Sequence, residues 1–296
     1  MKNVFIVIVL ILFSPCMSFS QENTICFGVV TDIHYSNIKP VKGTRIYKKS
    51  LAKLQEASDT FARRKVDFVV CLGDVIDGDP DSYNEIKDIF DSSEVPIYRI
   101  LGNHDFVGPY GSKAQKELIK LLEVPEMPYS VRRNNFLLLF LDSNRISCHS
   151  LSPHSDEMHM IDDFRKDLNS NFRNWNGAFG KDQMKWLSVQ LRNAERKGLD
   201  VICFAHMPLL PVKSEFSAWD GDDILAILHA HPCVKAYICG HHHKGDITVS
   251  GNIIHAMMQG MVENESNHFS IITISKNSIC IEGFGDESSY LFNFPH

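Results

Sequence analysis

The chain has no excess of basic residues, no second long apolar run, no internal repeat and no low-complexity tract. Its 30 lysines and arginines are outnumbered by 36 acidic residues, for a formal net charge of -6. A chain balanced in this way lacks the broad positive field that holds a nucleic-acid backbone regardless of sequence, so no nucleic-acid partner is expected and any attraction for phosphate has to be local. Its eight cysteines do not form an obvious framework either. Setting aside Cys16, which lies in the N-terminal segment, leaves Cys26, Cys71, Cys148, Cys203, Cys233, Cys239 and Cys280, an odd count that argues against a disulfide scaffold. Cys26, Cys71, Cys203 and Cys239 sit inside apolar runs such as ICFGVV and YICG and read as small core hydrophobes. Cys148 and Cys233 are the candidates for pairing or exposure. Disorder is excluded by composition, because 44% of the 296 residues are hydrophobic and 22% charged, enough to enclose a large apolar core.

The one long apolar run is Val4 to Phe13, preceded by Lys2 and followed by the small residues Ser18 and Ser20. It is well short of the roughly 20 residues a membrane-spanning helix needs. A short positive start, an apolar middle and small residues describe a secretory leader, with cleavage expected after Ser20 and a secreted or periplasmic address. Lipid attachment at Cys16 is the second reading, and Pro15 directly before it fits poorly. No membrane span is expected in residues 21–296, which read as a single catalytic domain.

From residue 25 onward, short β-rich apolar runs alternate with amphipathic stretches, the pattern of an α/β fold. Strands are expected at residues 25–30, 68–72, 97–101, 136–141, 201–204 and 234–239, with consecutive strands and turns over 246–283. Leu51, Leu54, Ala57, Ser58 and Phe61 keep an apolar or small stripe at helical spacing, predicting a helix over 46–64. Further helices are expected at 81–91, 112–122, 181–196 and 222–230. Residues 144–179 are polar and aperiodic, long for a simple connection, and read as a lid-like insertion over the site.

Five of these strands end in residues able to bind a metal. GVVT runs into Asp32-Ile33-His34, VVCLG into Asp74, RILG into Asn103-His104-Asp105, VICFA into His206, and AYICG into His241-His242-His243. Ligands of α/β sheets lie beyond the carboxyl ends of strands. A lone histidine after an apolar run is more often a structural hydrogen-bonding residue than a ligand, but five such coincidences point to a metal site. Carboxylate, amide oxygen and imidazole suit Mn, Fe, Zn or Co rather than a thiolate-bound structural zinc.

Read together, D-x-H at Asp32 to His34, G-D-x-x-D at Gly73 to Asp77, G-N-H-D at Gly102 to Asp105, His206 and G-H-x-H at Gly240 to His243 resemble the calcineurin-like metallophosphoesterase signature. The resemblance implies a four-layer α/β/β/α sandwich with two mixed sheets and two divalent metal ions. It implies Asp32, His34 and His243 on one ion, Asn103, His206 and His241 on the other, Asp74 bridging both, and Asp77 and Asp105 as outer supports. His104 is then assigned to transition-state stabilisation or protonation of the leaving oxygen. His242 is left without a role. The segments FGVVTDIHY, GTRIYKKSLAKLQ, WNGAFGKDQMKWL, AHMPLLP and SAWDGDDIL are also similar to the manganese-dependent ADP-ribose/CDP-alcohol diphosphatases, which implies a nucleoside diphosphate derivative as substrate and Mn as the metal. That subfamily tends to carry glutamine where this chain has His34. Asn103 and His104 are expected to contact substrate, Arg45 is the candidate phosphate clamp, and Trp219, Phe106 or Phe179 the candidate apolar face for a base or ribose. A general phosphomonoesterase or phosphodiesterase is the alternative, and a non-catalytic scaffold a more distant one.

Overall fold

Residues 24–106, 119–151 and 158–294 are described by a computed structural model in which the apolar runs become two six-stranded mixed sheets. The first sheet is built from β1 (Thr24–Val30), β2 (Phe68–Cys71), β3 (Ile97–Arg99), β12 (His268–Ser275), β13 (Ser278–Gly285) and β14 (Tyr290–Asn293), in the order β14-β13-β12-β1-β2-β3. The second contains β4 (Tyr129–Arg133), β5 (Phe136–Phe140), β8 (Asp200–Phe204), β9 (Val234–Cys239), β10 (Lys244–Ser250) and β11 (Ile253–Gln259), in the order β10-β11-β9-β8-β5-β4. The strands that lead into the motifs run parallel to their neighbours: β1, β2 and β3 in one sheet, and β8 and β9, beside β5, in the other. Parallel strands are covered on both faces, which is why their sequences read as unbroken apolar runs rather than alternating ones.

The inner faces of the two sheets share one core. Phe27 stacks on Phe68 with centroids 5.0 Å apart, Phe140 on Phe204 at 5.0 Å, and Phe27 meets Phe204 edge-on at 5.7 Å. Each fully buried side chain of this size contributes about 1.5–3 kcal/mol. On the outer face of the first sheet, α1 (Lys49–Arg64) and α2 (Tyr83–Asp91) bury Leu54, Ala57, Phe61, Ile86 and Phe90 against Val69 and Cys71. On the outer face of the second, α4 (Gly180–Arg196) and α5 (Gly221–His229) bury Leu187, Leu191, Ile224 and Leu228 against Val201, Cys203 and Tyr237. The layering is therefore α/β/β/α. Helix α1 stops at Lys65, whose φ of 53° turns its N–H back onto the carbonyls of Ala62 and Phe61.

Three expectations need correction. The first helix starts at Lys49 rather than near 46, because the Ile46 N–H donates to the Val262 carbonyl at 2.9 Å and is committed to a neighbouring loop. Residues 144–151 and 158–179 hold β6 (Ile146–Ser147), α3 (Met158–Leu168) and β7 (Gly177–Ala178), packed around a small core of their own rather than running without regular structure. That core consists of Ile146, Ile161, Leu168 and Ala178 about Trp219, with Phe172 stacked on the indole at 4.8 Å. Residues 152–157 of the segment lie outside the described residues. Cys148 and Cys233 are half-buried and unpaired, their thiols facing Asn174 Oδ1 and the Leu191 carbonyl. Among the described residues the exposed cysteine is Cys280. Of the helix expected at 112–122, only 119–122 fall within the described residues, and 119–121 are helical. Strand β4 was not anticipated. No helix among the described residues is long and apolar enough to cross a membrane.

Candidate metal centre

The carboxyl ends of the parallel strands in both sheets meet at one edge of the sandwich. After β1 come Asp32 and His34, after β2 Asp74 and Asp77, and after β3 Asn103, His104 and Asp105, while the second sheet delivers His206 after β8 and His241 and His243 after β9. Side chains leaving adjacent strand ends would normally diverge. Here the backbone turns sharply, with Asp32 (φ 49°), His34 (45°), Asp74 (54°), His241 (75°) and His243 (66°) all left-handed. Non-glycine residues rarely adopt this region, and such strain gathers at functional sites held by their surroundings. Gly102 and Gly240 allow the approach: a Cβ on either would collide with the Asp74 carboxylate or with Thr31 and the Asp32 carboxylate.

Three groups of ligand atoms result among the described residues, one of them His34, Asp77 and His104 beside the cleft, while the other two share Asp74. Of these two, Asp32, His34, Asp74 and His243 form the first, and Asp74, His206 and His241 the second. In the first, His34 Nε2 lies 3.2 Å from Asp74 Oδ2 and from His243 Nε2, and His243 Nε2 lies 3.1 Å from Asp32 Oδ1. In the second, His206 Nε2 lies 3.3 Å from Asp74 Oδ2, 3.2 Å from Asn103 Oδ1 and 3.2 Å from His241 Nδ1. Ligands about 2.1 Å from a shared ion sit about 3.0–3.4 Å from one another, the spacing seen here. Imidazole nitrogens facing each other at this range need a cation or a proton between them. Asp32 Oδ1 and Asp74 Oδ2, both buried, accept no hydrogen bond from the protein. Buried carboxylate oxygens left in that state are costly unless a cation meets them. The residues therefore fit two divalent metal ions.

The electrostatics point the same way. Burial would raise the pKa of Asp32 and Asp74, but the charge of His243 on one and His206 on the other reverses this and holds both well below the carboxylate range. Burial likewise opposes charge on His206, yet the Asp74 carboxylate beside it lifts its pKa to about 9. A group holding buried negative charge with imidazoles clustered around it binds positive charge in some form.

Each converging side chain is itself held. His206 Nδ1 faces the Leu72 carbonyl at 2.8 Å, His241 Nε2 faces Asn176 Oδ1 at 2.8 Å, and His243 Nδ1 faces Glu263 Oε1 at 2.8 Å. Such partners fix the ring orientation and tautomer of metal-binding imidazoles. The Asp105 carboxylate accepts N–H bonds from Gly102, Asp74, Val75 and Ile76 at 2.8–3.2 Å, pinning the loop that carries Asp74. Burial, and then the Asp74 charge, push its pKa up to about 7. Asp77 contacts His104 Nδ1 and also accepts from Lys39 Nζ at 2.6 Å. His104 donates its backbone N–H to Asp74 Oδ1 at 2.8 Å and keeps its ring partly exposed at the mouth of the site. His242 turns away and packs on Phe216, with centroids 4.1 Å apart.

A cleft of about 640 Å³ opens over these groups, lined by Asp74, Asn103, His104, His241 and His243 together with Lys42, Thr44, Arg45, Trp175 and Phe216. Arg45 is thus at the site, where its Nε lies 3.6 Å from Glu263 Oε1. The expected apolar face is corrected. Trp219, Phe179 and Phe106 are 1%, 0% and 7% exposed and serve the core, whereas Trp175, at 39%, and Phe216 line the cleft. Sequence reasoning also missed Asn176, which lies inside the WNGAFGKDQMKWL segment, and Glu263, which has no motif around it.

The chain belongs to the calcineurin-like phosphoesterase family, whose model matches residues 26–245, and so is a hydrolase acting on phosphorus-containing bonds. Among its relatives, the manganese-dependent ADP-ribose/CDP-alcohol diphosphatase of Oryza sativa subsp. japonica is 27% identical over 272 residues, covering 80% of this chain and 83% of its own. The Homo sapiens protein of the same name is 25% identical over 325 residues, covering 94% and 95%. A dimetal phosphatase from Danio rerio shares the fold at a TM-score of 0.84 and 22% identity, over 92% of this chain and all of that one.

Proposed function

We propose that this protein hydrolyses the phosphoanhydride bond of nucleoside diphosphate derivatives, compounds such as ADP-ribose or CDP-alcohols, with manganese as its metal. The observation that carries the reading is the cleft itself, which joins the metal-binding groups to two cationic side chains, Lys42 and Arg45, and to two aromatic ones, Trp175 and Phe216. A diphosphate linking a flat base to a second polar group needs that combination. The relatives' names support it independently.

In this reading Asp32, His34 and His243 hold one ion, Asn103, His206 and His241 the other, and Asp74 bridges them. When bound, a pair of divalent ions activates water, polarises phosphoryl oxygens and steadies the attacking and leaving oxygens of an in-line displacement. Arg45 and Lys42 bind the phosphate oxygens, the guanidinium being suited to a bidentate fork. Asp77 orients His104, which stabilises the transferring phosphoryl group and protonates the departing oxygen. Trp175 and Phe216 offer faces on which a base stacks. An imidazole at position 34 adds a nitrogen to the first ion's ligands, which favours Mn, Fe, Zn or Co over Mg. We also propose export of the chain, on the strength of the apolar leader; N-terminal sequencing of the mature protein should then begin at Gln21.

The test is hydrolysis of ADP-ribose and CDP-choline with added Mn²⁺, beside p-nitrophenyl phosphate and a cyclic nucleotide. Preferential release of mononucleotide from the diphosphates is expected. Turnover of monoesters or cyclic diesters alone would transfer the case to a general phosphoesterase.

A further inference from the structure

Glu263 sits in the loop after β11 and belongs to no motif, yet it touches both halves of the cleft. The loop is laced to the end of β1, with Met261 N–H donating to the Thr31 carbonyl and Val262 N–H to the Asp32 carbonyl, each at 3.0 Å. It is laced equally to the cationic segment: Asn264 N–H donates to the Thr44 carbonyl at 2.8 Å, and Arg45 and Glu263 form an antiparallel bridge. Lys53, buried on α1, anchors the loop from behind by donating from Nζ to the carbonyls of Met261, Glu263 and Asn264 at 2.8–2.9 Å.

At the centre is one carboxylate. Its Oε1 lies 2.8 Å from His243 Nδ1 and 3.6 Å from Arg45 Nε. The contact with His243 fixes the ring so that Nε2 faces Asp32. The contact with Arg45, beside the backbone bond to Thr44, fixes the segment that lines the other wall of the cleft.

We propose that Glu263 is a positioning residue that couples the metal centre to the phosphate-binding segment, one carboxylate setting both the orientation of His243 and the placement of Arg45. The half of this statement concerning Arg45 rests on the phosphoester reading of the cleft. The half concerning His243 does not, and is read by metal binding alone. Loss of such a carboxylate costs about 10–100-fold in metal affinity.

The experiment compares Glu263→Ala, Glu263→Gln, Arg45→Ala and the two double variants, by calorimetric titration of Mn²⁺ into the metal-stripped protein and by steady-state kinetics on the diphosphate substrate. Glu263→Ala should weaken one of two Mn²⁺ sites by about 10-fold or more and raise KM. Glu263→Gln, whose amide oxygen still accepts from His243, should restore Mn²⁺ affinity and leave KM raised. Arg45→Ala should raise KM with both Mn²⁺ sites intact, and should raise it less when Glu263 is already replaced. Unchanged Mn²⁺ affinity in a folded Glu263→Ala protein overturns the link to His243. An Arg45→Ala effect of equal size in both backgrounds overturns the coupling. Should Glu263→Ala fail to fold, the Glu263→Gln cycle decides the coupling, and Glu263→Leu, which fills the space without an acceptor, decides the link to His243: one Mn²⁺ site weakened about 10-fold supports it and native affinity overturns it. If no diphosphate is turned over, the functional reading fails while the titration still decides the metal half.

Discussion

His104 is the residue at which a single substitution separates chemistry from coordination. It is absent from the two groups that share Asp74 but clusters with His34 and Asp77 in a third, it is oriented by Asp77, and its ring borders the cleft. Replacing it with alanine is expected to lower kcat by about 10²–10⁴-fold, the range for a positioned acid or base. Metal content should stay at the native level, measured by elemental analysis on the same preparation. A variant that lost metal in proportion to activity would make His104 a support for the ions. The site residues were legible at this scale because each follows an apolar run, so the strand and its functional tip appear together in the sequence. Asn176 and Glu263 were not, since a polar residue in a turn carries no periodicity and its partner lies far along the chain: His241 is 65 residues from Asn176. The aromatic residues of the cleft were missed for a related reason. Burial separates Trp219 from Trp175, and sequence spacing does not report burial.

Elements were read well where local pattern and tertiary environment agree. The strand Val234–Cys239 is observed as expected, and α1, α4 and α5 keep their apolar stripes. The insertion was read as aperiodic because its stability comes from packing on Trp219, contributed by a segment well beyond it. The turn between β13 and β14 allows a measurement at this scale. Glu287 is half-buried there and accepts the Gln259 N–H at 2.9 Å; burial pushes its pKa up from 4.5 to about 7. A carboxyl whose folded pKa lies above its unfolded one contributes stability below pH 4.5 that is lost as pH rises through 7. Glu287→Gln removes that loss. The variant's melting midpoint relative to the native protein should therefore rise between pH 4.5 and pH 8, and parallel curves over that range would count against the assignment.

At the scale of the molecule, the ligand groups tie one sheet to the other. Asp32, His34, Asp74 and Asn103 project from the first sheet, and His206, His241 and His243 from the second. An ion that binds the folded state alone stabilises it by about 2.7 kcal/mol for each site at one hundred times its Kd. Chelation is expected to lower the melting midpoint, and Mn²⁺ to restore it with a dependence on its concentration, as followed by calorimetry. A melt indifferent to chelator would mean that the sheets hold together without the ions.

The same division has a topological result. Any break in the backbone between Asn103 and His206 parts both ligand groups at once, leaving neither fragment with a full complement. Two such pieces could regain a working pocket only by reassociating, through the β1–β12 pairing and the core they share, so the connectivity has the layout of a split enzyme whose metal site reports reassembly.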